Sequence, residues 1–149
     1  MGIEIERKFL VRGEFKDPDS KKEYILQKYL SVDPERTIRI RISGENAFIT
    51  IKSNTLLEKA TRAEWEYKIP MDEASEIMKI CLPGKVEKTR YYIPYASHTF
   101  EVDVFHKKNE GLILAEIELS SESESFEKPG WLGEEVTGNP DYFNVNLLK

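Results

Sequence analysis

Charged side chains alternate with apolar ones in the first segment of the chain, where residues 3–9 read Ile-Glu-Ile-Glu-Arg-Lys-Phe. The two-residue period of a strand places Glu4, Glu6 and Lys8 on one face. Mg²⁺ and Mn²⁺ prefer carboxylate oxygens, whereas lysine and arginine bind phosphate oxygens. Such a face could therefore bind a phosphate compound together with a divalent cation. The simpler interpretation is the solvated side of an ordinary sheet.

The same alternation recurs in nearly every later segment that is predicted as a strand. In residues 37–42, three isoleucines face one way, and Thr37, Arg39 and Arg41 face the other. The remaining charged residues on this predicted face are Lys52, Glu64, Glu66, Lys68, Lys88, Arg90, Glu101, Asp103, Glu116 and Glu118. Burying so many charges costs several kcal/mol per ion before pairing. The arrangement is favourable if the face lines a wet lumen whose ligand carries charges of both signs, such as a polyphosphate with its divalent cations.

The elements that would hold these residues are mostly strands. Eight are predicted, at about residues 1–11, 23–31, 37–42, 47–52, 62–69, 86–92, 100–105 and 114–119. Short connections join most of them, which predicts antiparallel pairing. Eight strands can close into a barrel whose lumen holds one small ligand. On the alternation alone, an open sheet with a solvated and cross-strand-paired charged face is an equal alternative.

A few helices and loops complete the predicted fold. Helices are predicted over residues 72–82, 121–126 and 139–147. The first has helical apolar spacing with Asp72 as its N-cap, the second starts from capping-box spacing, and the third has a proline at its first position. Loops are predicted over residues 53–61 and 130–137. The expected fold class is α+β, mainly β, with few flanking helices.

Composition narrows the class of protein. The 149 residues are expected to form a single domain, since this length supports one hydrophobic core and is short for two. The net charge of -5 argues against a nucleic-acid-binding protein, which is usually basic overall. The single cysteine fits a reducing compartment. No apolar run reaches membrane-spanning length, and Met1 leads into a strand rather than a signal peptide. We therefore expect a cytoplasmic protein that binds neither membrane nor nucleic acid.

Several motifs together resemble one family. Residues 4–8, Glu-Ile-Glu-Arg-Lys, match the ExExK signature of the CYTH superfamily, the triphosphate tunnel metalloenzymes. This superfamily includes bacterial tripolyphosphatases, thiamine triphosphatases and a class of adenylyl cyclases. Further segments that look like the family, in its order, are 27–30, 39–41, 50–53, 64–66, 87–91, 101–105, 116–118 and 131–137. The resemblance covers essentially the whole chain.

The resemblance implies an eight-stranded antiparallel tunnel with its charged residues pointing inward, hence the closed barrel rather than the open sheet. It also implies roles for individual residues. The residues that resemble the metal-binding acids are Glu4, Glu6, Glu116 and Glu118. Those that resemble the triphosphate-binding set are Lys8, Arg39, Arg41, Lys52 and Arg90. Further acids expected to line the tunnel are Glu64, Glu66, Glu101 and Asp103.

Lys88 resembles the lysine proposed as a base in short bacterial members of the family, so Lys88, Glu4 and Glu118 are the expected catalytic residues. Its neighbour Arg90 and partial desolvation would lower the pKa of Lys88, whereas the acids and a bound triphosphate would raise it. A second role therefore stays open, in which Lys88 only binds phosphate. Lys68 lies outside the family pattern.

The function implied by the resemblance is hydrolysis of a triphosphate with Mg²⁺ or Mn²⁺, and inorganic tripolyphosphate is the favoured substrate for so short a chain. One metal would bridge phosphate oxygens and another would orient and acidify the attacking water. Two enzymatic alternatives are an adenylyl cyclase that converts ATP to cAMP and pyrophosphate, and a thiamine or nucleoside triphosphatase. An alternative of another class is a polyphosphate- or nucleotide-binding module without turnover, which would have little need for so many carboxylates. A homodimer is also expected, because few helices are predicted to cover the apolar outer face of the strands.

Overall fold

The computed structural model describes residues 2–53 and 60–148, and strands account for most of them. The strands are β1 (Gly2–Val11), β2 (Lys21–Ser31), β3 (Thr37–Ser43), β4 (Asn46–Ser53), β5 (Thr61–Ile69), β6 (Val86–Tyr95), β7 (His98–Phe105), β8 (Ile113–Glu118) and β9 (Leu132–Glu135). The single α-helix of the described residues, α1, is Met71–Met78. No helix in these ranges is long and apolar enough to span a membrane. Most of the loop predicted over residues 53–61 lies outside the described residues.

Eight of the strands form a closed antiparallel barrel, as predicted. Their order is β5-β4-β3-β2-β6-β7-β8-β1, and β1 also pairs with β5 to complete the circle. The closing contact uses the first half of β1, with Ile3 opposite Ala63. The second half pairs with β8, with Lys8 opposite Glu116. The fold is mainly β, and its closure leaves an interior face along every strand.

The ninth strand pairs with the second half of β1, on the edge where β5 pairs with the first half. The amide of Glu6 donates to the Ala60 carbonyl, and two residues later the Lys8 carbonyl accepts from the Val136 amide. The prediction of a loop over residues 130–137 was wrong at its centre, because a four-residue strand has too little alternation to be recognised. Gly133 allows this close pairing, since a Cβ atom there would lie 2.9 Å from the Leu10 carbonyl oxygen.

The helix predicted over residues 72–82 is shorter than expected. It begins after Pro70, so Asp72 lies in its first turn rather than at the N-cap, and it ends at Met78. The amide of Leu82 donates to the Tyr29 carbonyl at 2.8 Å, which draws the end of the segment onto β2. This tertiary contact replaces the last predicted helical turn.

The two other helix predictions had different outcomes. Residues 121–126 are not helical, because the Glu124 carboxylate accepts from the Ser120 amide at 2.6 Å and closes a tight turn instead. The C-terminal segment forms two 3₁₀ helices, Pro140–Tyr142 and Asn144–Leu147. Asn139 is the N-cap of the first of them, and its side chain accepts from the Asp141 amide at 3.0 Å.

Most of the hydrophobic core lies outside the barrel, between the outer face of the strands and the segments that cover it. One cluster joins Phe9, Phe100 and Ile117 to residues that follow β8, including Phe126 and Trp131. Another packs α1 against β3 and β4. A third cluster closes one end of the barrel, because the C-terminal segment packs there on the inward-facing residues Phe105 and Leu114, which pair with Lys88 and Asp103. Along the rest of the barrel the apolar side chains face outward, so the opposite face of the strands turns its charged side chains into the lumen.

Candidate active site

The barrel lumen contains a cavity of about 220 Å³. Of the charged residues predicted for the inner face, all but two line the cavity. Lys68 is exposed, and Asp103 is buried beneath Lys88 and Arg90. The acids at the cavity are Glu4, Glu6, Glu64, Glu66, Glu101, Glu116 and Glu118. The bases are Lys8, Arg39, Arg41, Lys52, Arg62, Lys88 and Arg90. Among the described residues, acids and bases are therefore equal in number, which suits a ligand that carries both signs.

A carboxylate cluster forms where β1 meets β8. Glu4, Glu6 and Glu118 each offer an oxygen atom, and these atoms lie within 4.8 Å of one another. Burial, with the nearby Glu116 and Glu4, raises the pKa of Glu6 well above its usual range. Burial, Glu4 and Glu116 likewise raise the pKa of Glu118. A divalent cation bound here would offset the repulsion between these carboxylates. This donor set therefore fits Mg²⁺ or Mn²⁺.

Glu116 differs from its neighbours because cations surround it. Its carboxylate lies 3.8 Å from Lys8 Nζ and 3.4 Å from an Arg90 nitrogen. Burial alone would raise the pKa of Glu116, but Lys8, a hydrogen bond from Glu6 and Arg90 hold it well below the usual range. Glu116 is therefore ionised while Glu6 beside it favours its proton.

A pair of arginines on β3 presents donors that no described residue satisfies. Arg39 and Arg41 each place a guanidinium nitrogen near Glu66, at 3.6 and 3.5 Å. Thr50 holds that carboxylate in place by donating to it at 2.8 Å. The buried Nε atoms of both arginines have no hydrogen-bond partner within residues 2–53 and 60–148. Both guanidinium groups line the cavity, where an anion would accept hydrogen bonds from them.

Lys52 on β4 connects the acidic cluster to the basic wall. Its ammonium lies 2.9 Å from Glu4 and 3.6 Å from Glu64. Burial opposes the charge on Lys52, yet Glu4 holds its pKa above the usual value. The lysine is therefore a cation next to both the carboxylate cluster and the open cavity.

Arg90 and Asp103 form the most enclosed ion pair of the wall. Arg90 donates to the two oxygens of Asp103 at 2.8 and 3.0 Å, which is the bidentate geometry of a strong pair. A third nitrogen of the guanidinium reaches Glu101 at 3.3 Å. Asp103 thus fixes the orientation of the Arg90 guanidinium. Because Asp103 is buried beneath Arg90, it does not itself face the cavity.

Lys88 is 1% exposed, and it shares Asp103 with Arg90. Its ammonium lies 2.9 Å from Asp103 and donates to Asn144 Oδ1 at 2.7 Å. Desolvation lowers the pKa of Lys88 to about 8, with Asp103 opposing and Arg90 adding to the shift. The neutral amine is therefore a minority form at pH 7 and becomes the main form above about pH 8.

The cavity includes residues to which the sequence analysis gave no role. Arg62 has the same strand parity as Glu64 and Glu66, so the two-residue period could have found it. Tyr29 and Thr37 also share predicted inner faces. By contrast, the C-terminal residues Phe143, Asn144 and Val145 line the cavity from outside the barrel strands. No periodic signal in the sequence indicates that insertion.

Similarity to known proteins identifies this charged barrel. A family model of the CYTH domain matches residues 2–145. The chain belongs to the CYTH domain family. This CYTH domain is 41% identical over 150 residues to a protein of Acetivibrio thermocellus named inorganic triphosphatase, covering 100% of this chain and 95% of the relative. A protein of Nitrosomonas europaea with the same name is 36% identical over 149 residues, covering 97% of this chain and 95% of the relative.

A solved structure supports the same relationship in three dimensions. The crystal structure of an inorganic triphosphatase matches this CYTH domain with a TM-score of 0.68 at 34% identity. The match covers 97% of this chain and 96% of the other. Sequence and fold therefore relate the whole domain to proteins named as inorganic triphosphatases.

Proposed function

We propose that this CYTH domain hydrolyses inorganic tripolyphosphate to pyrophosphate and phosphate with the help of Mg²⁺ or Mn²⁺. The observation that carries the proposal is a carboxylate cluster together with a set of arginine and lysine side chains along one closed lumen. The relatives named as inorganic triphosphatases span nearly the whole chain and support the same activity. The lumen holds about 220 Å³, below the about 300–1,000 Å³ usual for drug-sized ligands, which favours a compact anion over a nucleotide.

The basic residues bind the phosphate chain. Arg39 and Arg41 line the cavity and present their guanidinium groups to phosphate oxygens, and Arg90 is held rigid for the same purpose by Asp103. Lys8 and Lys52 complete the set at the acidic end of the cavity. Phosphoryl transfer requires mainly positioning and charge neutralisation from a protein, and a wall of fixed cations supplies both.

The carboxylates hold the metal. Glu4, Glu6 and Glu118 are the proposed ligands in the cluster, and Glu116 adjoins them as an ionised fourth acid. A divalent cation bound there would neutralise phosphate charge and lower the pKa of a water molecule. Glu64, Glu66 and Glu101 orient the neighbouring cations through ion pairs.

Lys88 accepts the proton in the hydrolytic step. Water attacks the terminal phosphorus, the bond from that phosphorus to the bridging oxygen breaks, and its electron pair leaves with pyrophosphate. The water proton passes to the neutral amine of Lys88, whose lowered pKa makes it available as a base. Binding of phosphate by a protonated Lys88 is the alternative role, and the two are separated by a substitution described in the Discussion.

The activity is tested by offering tripolyphosphate, ATP and thiamine triphosphate in turn with Mg²⁺ or Mn²⁺ and separating the products. Phosphate and pyrophosphate from tripolyphosphate at the highest kcat/KM support the proposal. Cyclic nucleotide from ATP would instead indicate a cyclase. Binding of all three compounds without turnover would indicate a binding module.

The proposed setting is the cytoplasm, with the small-molecule substrate as the principal ligand and with no nucleic-acid or membrane partner. The net charge of -5 supports the absence of a nucleic-acid partner. We also propose a homodimer, because Ile3 and Tyr67 are 60% and 58% exposed on the outer face of the adjoining strands β1 and β5. Light scattering that gives the monomer mass at high protein concentration would contradict the dimer.

A further inference from the structure

The C-terminal segment crosses one end of the lumen from β1 to β2. At one side, the Tyr142 carbonyl accepts from Lys8 Nζ at 2.9 Å. At the other, Asn144 Oδ1 accepts from Gln27 Nε2 at 3.2 Å. Because β1 and β2 lie on opposite sides of the eight-stranded circle, residues 142–144 span the barrel opening.

Asn144 is the member of this segment that reaches Lys88. The distance from Asn144 Oδ1 to Lys88 Nζ is 2.7 Å. An ammonium group only donates, so the amide atom that faces it must be the oxygen. Gln27, which is 0% exposed, donates to the same oxygen and keeps the amide from rotating away.

The contacts of Lys88 Nζ leave one direction open. A protonated lysine has three N–H donors. Asp103 accepts one at 2.9 Å and Asn144 accepts another, and no third hydrogen-bond partner occurs among the described residues. Since Lys88 lines the cavity, the third donor is the one available to a ligand there. In the neutral amine, two N–H groups satisfy the same two acceptors and the lone pair takes the open direction.

We propose that Asn144 is a positioning residue for Lys88, which together with Asp103 fixes the amine so that its free position faces the substrate. A catalytic role for this positioning rests on the proposed triphosphatase function. The positioning itself can be measured in the protein without substrate. It makes the C-terminal segment part of the active site although no barrel strand contributes Asn144. Correct seating of that segment is then a condition for full activity.

The surroundings of Lys88 define how the proposal can be measured. The charged groups that face it are Arg90 on β6, Asp103 on β7 and Glu116 on β8. On the side of β2, the Tyr29 hydroxyl lies 3.4 Å from Nε2 of Gln27, the residue that also contacts Asn144. Asn144 is the one uncharged acceptor in direct contact with the ammonium among these described groups, so its charge can be changed without removing an existing ion pair.

The test is an NMR titration of the Lys88 ε-carbon in metal-free protein without substrate, with the signal assigned from Lys88→Arg. Asn144→Asp adds a carboxylate beside the ammonium and should raise the pKa of Lys88. Asn144→Leu removes the acceptor and should lower it. The matched control is Asn146→Ala on the same 3₁₀ helix. The exposed Asn146 donates its side-chain amide to the Pro140 carbonyl rather than contacting Lys88, so this variant should leave the titration unchanged.

Activity measurements add the functional half of the test. Asn144→Leu should reduce kcat by up to about 100-fold, as expected for a displaced catalytic group, while KM for tripolyphosphate changes little. The two Asn144 variants should move the alkaline limb of the pH–rate profile in opposite directions. Opposite NMR shifts in a protein that does not hydrolyse tripolyphosphate would keep the positioning and overturn the proposed function. Equal or absent NMR shifts in Asn144→Asp, which conserves side-chain shape, would overturn the positioning itself.

Discussion

Lys52 and Glu4 form an ion pair inside the barrel, with 2.9 Å between Nζ and Oε1. The first residue is a proposed phosphate ligand and the second a proposed metal ligand, so the two sets are interlocked rather than separated. Burial alone would raise the pKa of Glu4, but Lys52 holds it below the usual value. The pair therefore keeps Glu4 ionised and available to a cation before any ligand binds.

This pair predicts different stability effects for two substitutions that both remove metal-binding charge. Glu4→Gln and Glu118→Gln should each abolish turnover with the fold intact. Glu4→Gln should also lose about 1–3 kcal/mol of unfolding free energy, because a buried lysine loses its charged acceptor. Glu118→Gln should be as stable as wild type or more stable, since it removes repulsion from Glu4 and Glu116. Denaturant unfolding and rates at limiting metal measure both effects; near-normal turnover in either variant would refute its metal role.

Arg39→Ala and Arg41→Ala should chiefly weaken substrate binding. Each guanidinium group lines the cavity, and we expect it to bind phosphate in ground and transition states alike. Loss of one charged hydrogen bond should raise KM by about 10- to 100-fold with little change in kcat. The control is Arg36→Ala, because the Arg36 side chain is 64% exposed in a turn. Unchanged KM with a collapsed kcat would assign that arginine to the transition state.

The strands and the identity of their charged face followed from the sequence because strand periodicity is a local property, whereas closure into a barrel was implied only by the family resemblance. Glu4, Arg39 and Glu116 each sit on a strand whose apolar residues must face the outer core, so their direction is determined by their neighbours. The alternation could not decide between a closed barrel and an open sheet. Closure depends on the pairing of Ile3 with Ala63, a contact between distant segments.

The missed features depend on long-range contacts. The strand at Leu132–Glu135 exists because the free edge of β1 needs a partner, and the four residues carry no pattern of their own. Asn144 enters the lumen because Gln27 and Lys88 offer donors there. The predicted helix at 121–126 failed because Glu124 bonds to Ser120 instead of capping a helix. Local sequence patterns do not indicate which of these competing contacts forms.

The raised pKa of Glu6 predicts a pH-dependent stability in metal-free protein. A carboxyl with a raised folded pKa stabilises the fold at acid pH, and this contribution is lost as pH rises through that pKa. Glu6→Gln should therefore match wild type near the unfolded pKa of about 4.3 and become progressively more stable than wild type above it. Thermal unfolding across this pH range with a chelator present measures the difference.

The exposed Glu110 provides the control for Glu6, since Glu110→Gln should show no such divergence. Addition of Mn²⁺ should stabilise wild type more than Glu6→Gln, because the ion replaces the proton on the crowded carboxylates. A stability difference between Glu6→Gln and wild type that stays constant with pH would contradict the raised pKa.

Lys88→Arg separates a base from a phosphate ligand. If the neutral amine accepts the water proton, wild-type kcat/KM should rise as pH passes through the Lys88 pKa of about 8 in the free enzyme. Arginine keeps the positive charge but cannot deprotonate, so kcat should fall by at least about 100-fold and the rise should disappear. A variant that retains most of the rate and the alkaline rise would assign Lys88 to phosphate binding alone.

In the proposed function, the metal-loaded lumen cleaves tripolyphosphate by hydrolysis. ³¹P NMR of a tripolyphosphate solution with Mg²⁺ and enzyme tests it most directly, because substrate, pyrophosphate and phosphate are seen together. We expect tripolyphosphate to disappear with equal formation of pyrophosphate and phosphate, and no reaction with chelator or with Glu118→Gln. Two results would contradict the proposed function. One is unchanged tripolyphosphate with folded wild-type protein and saturating Mg²⁺ or Mn²⁺, and the other is cleavage that persists in chelator.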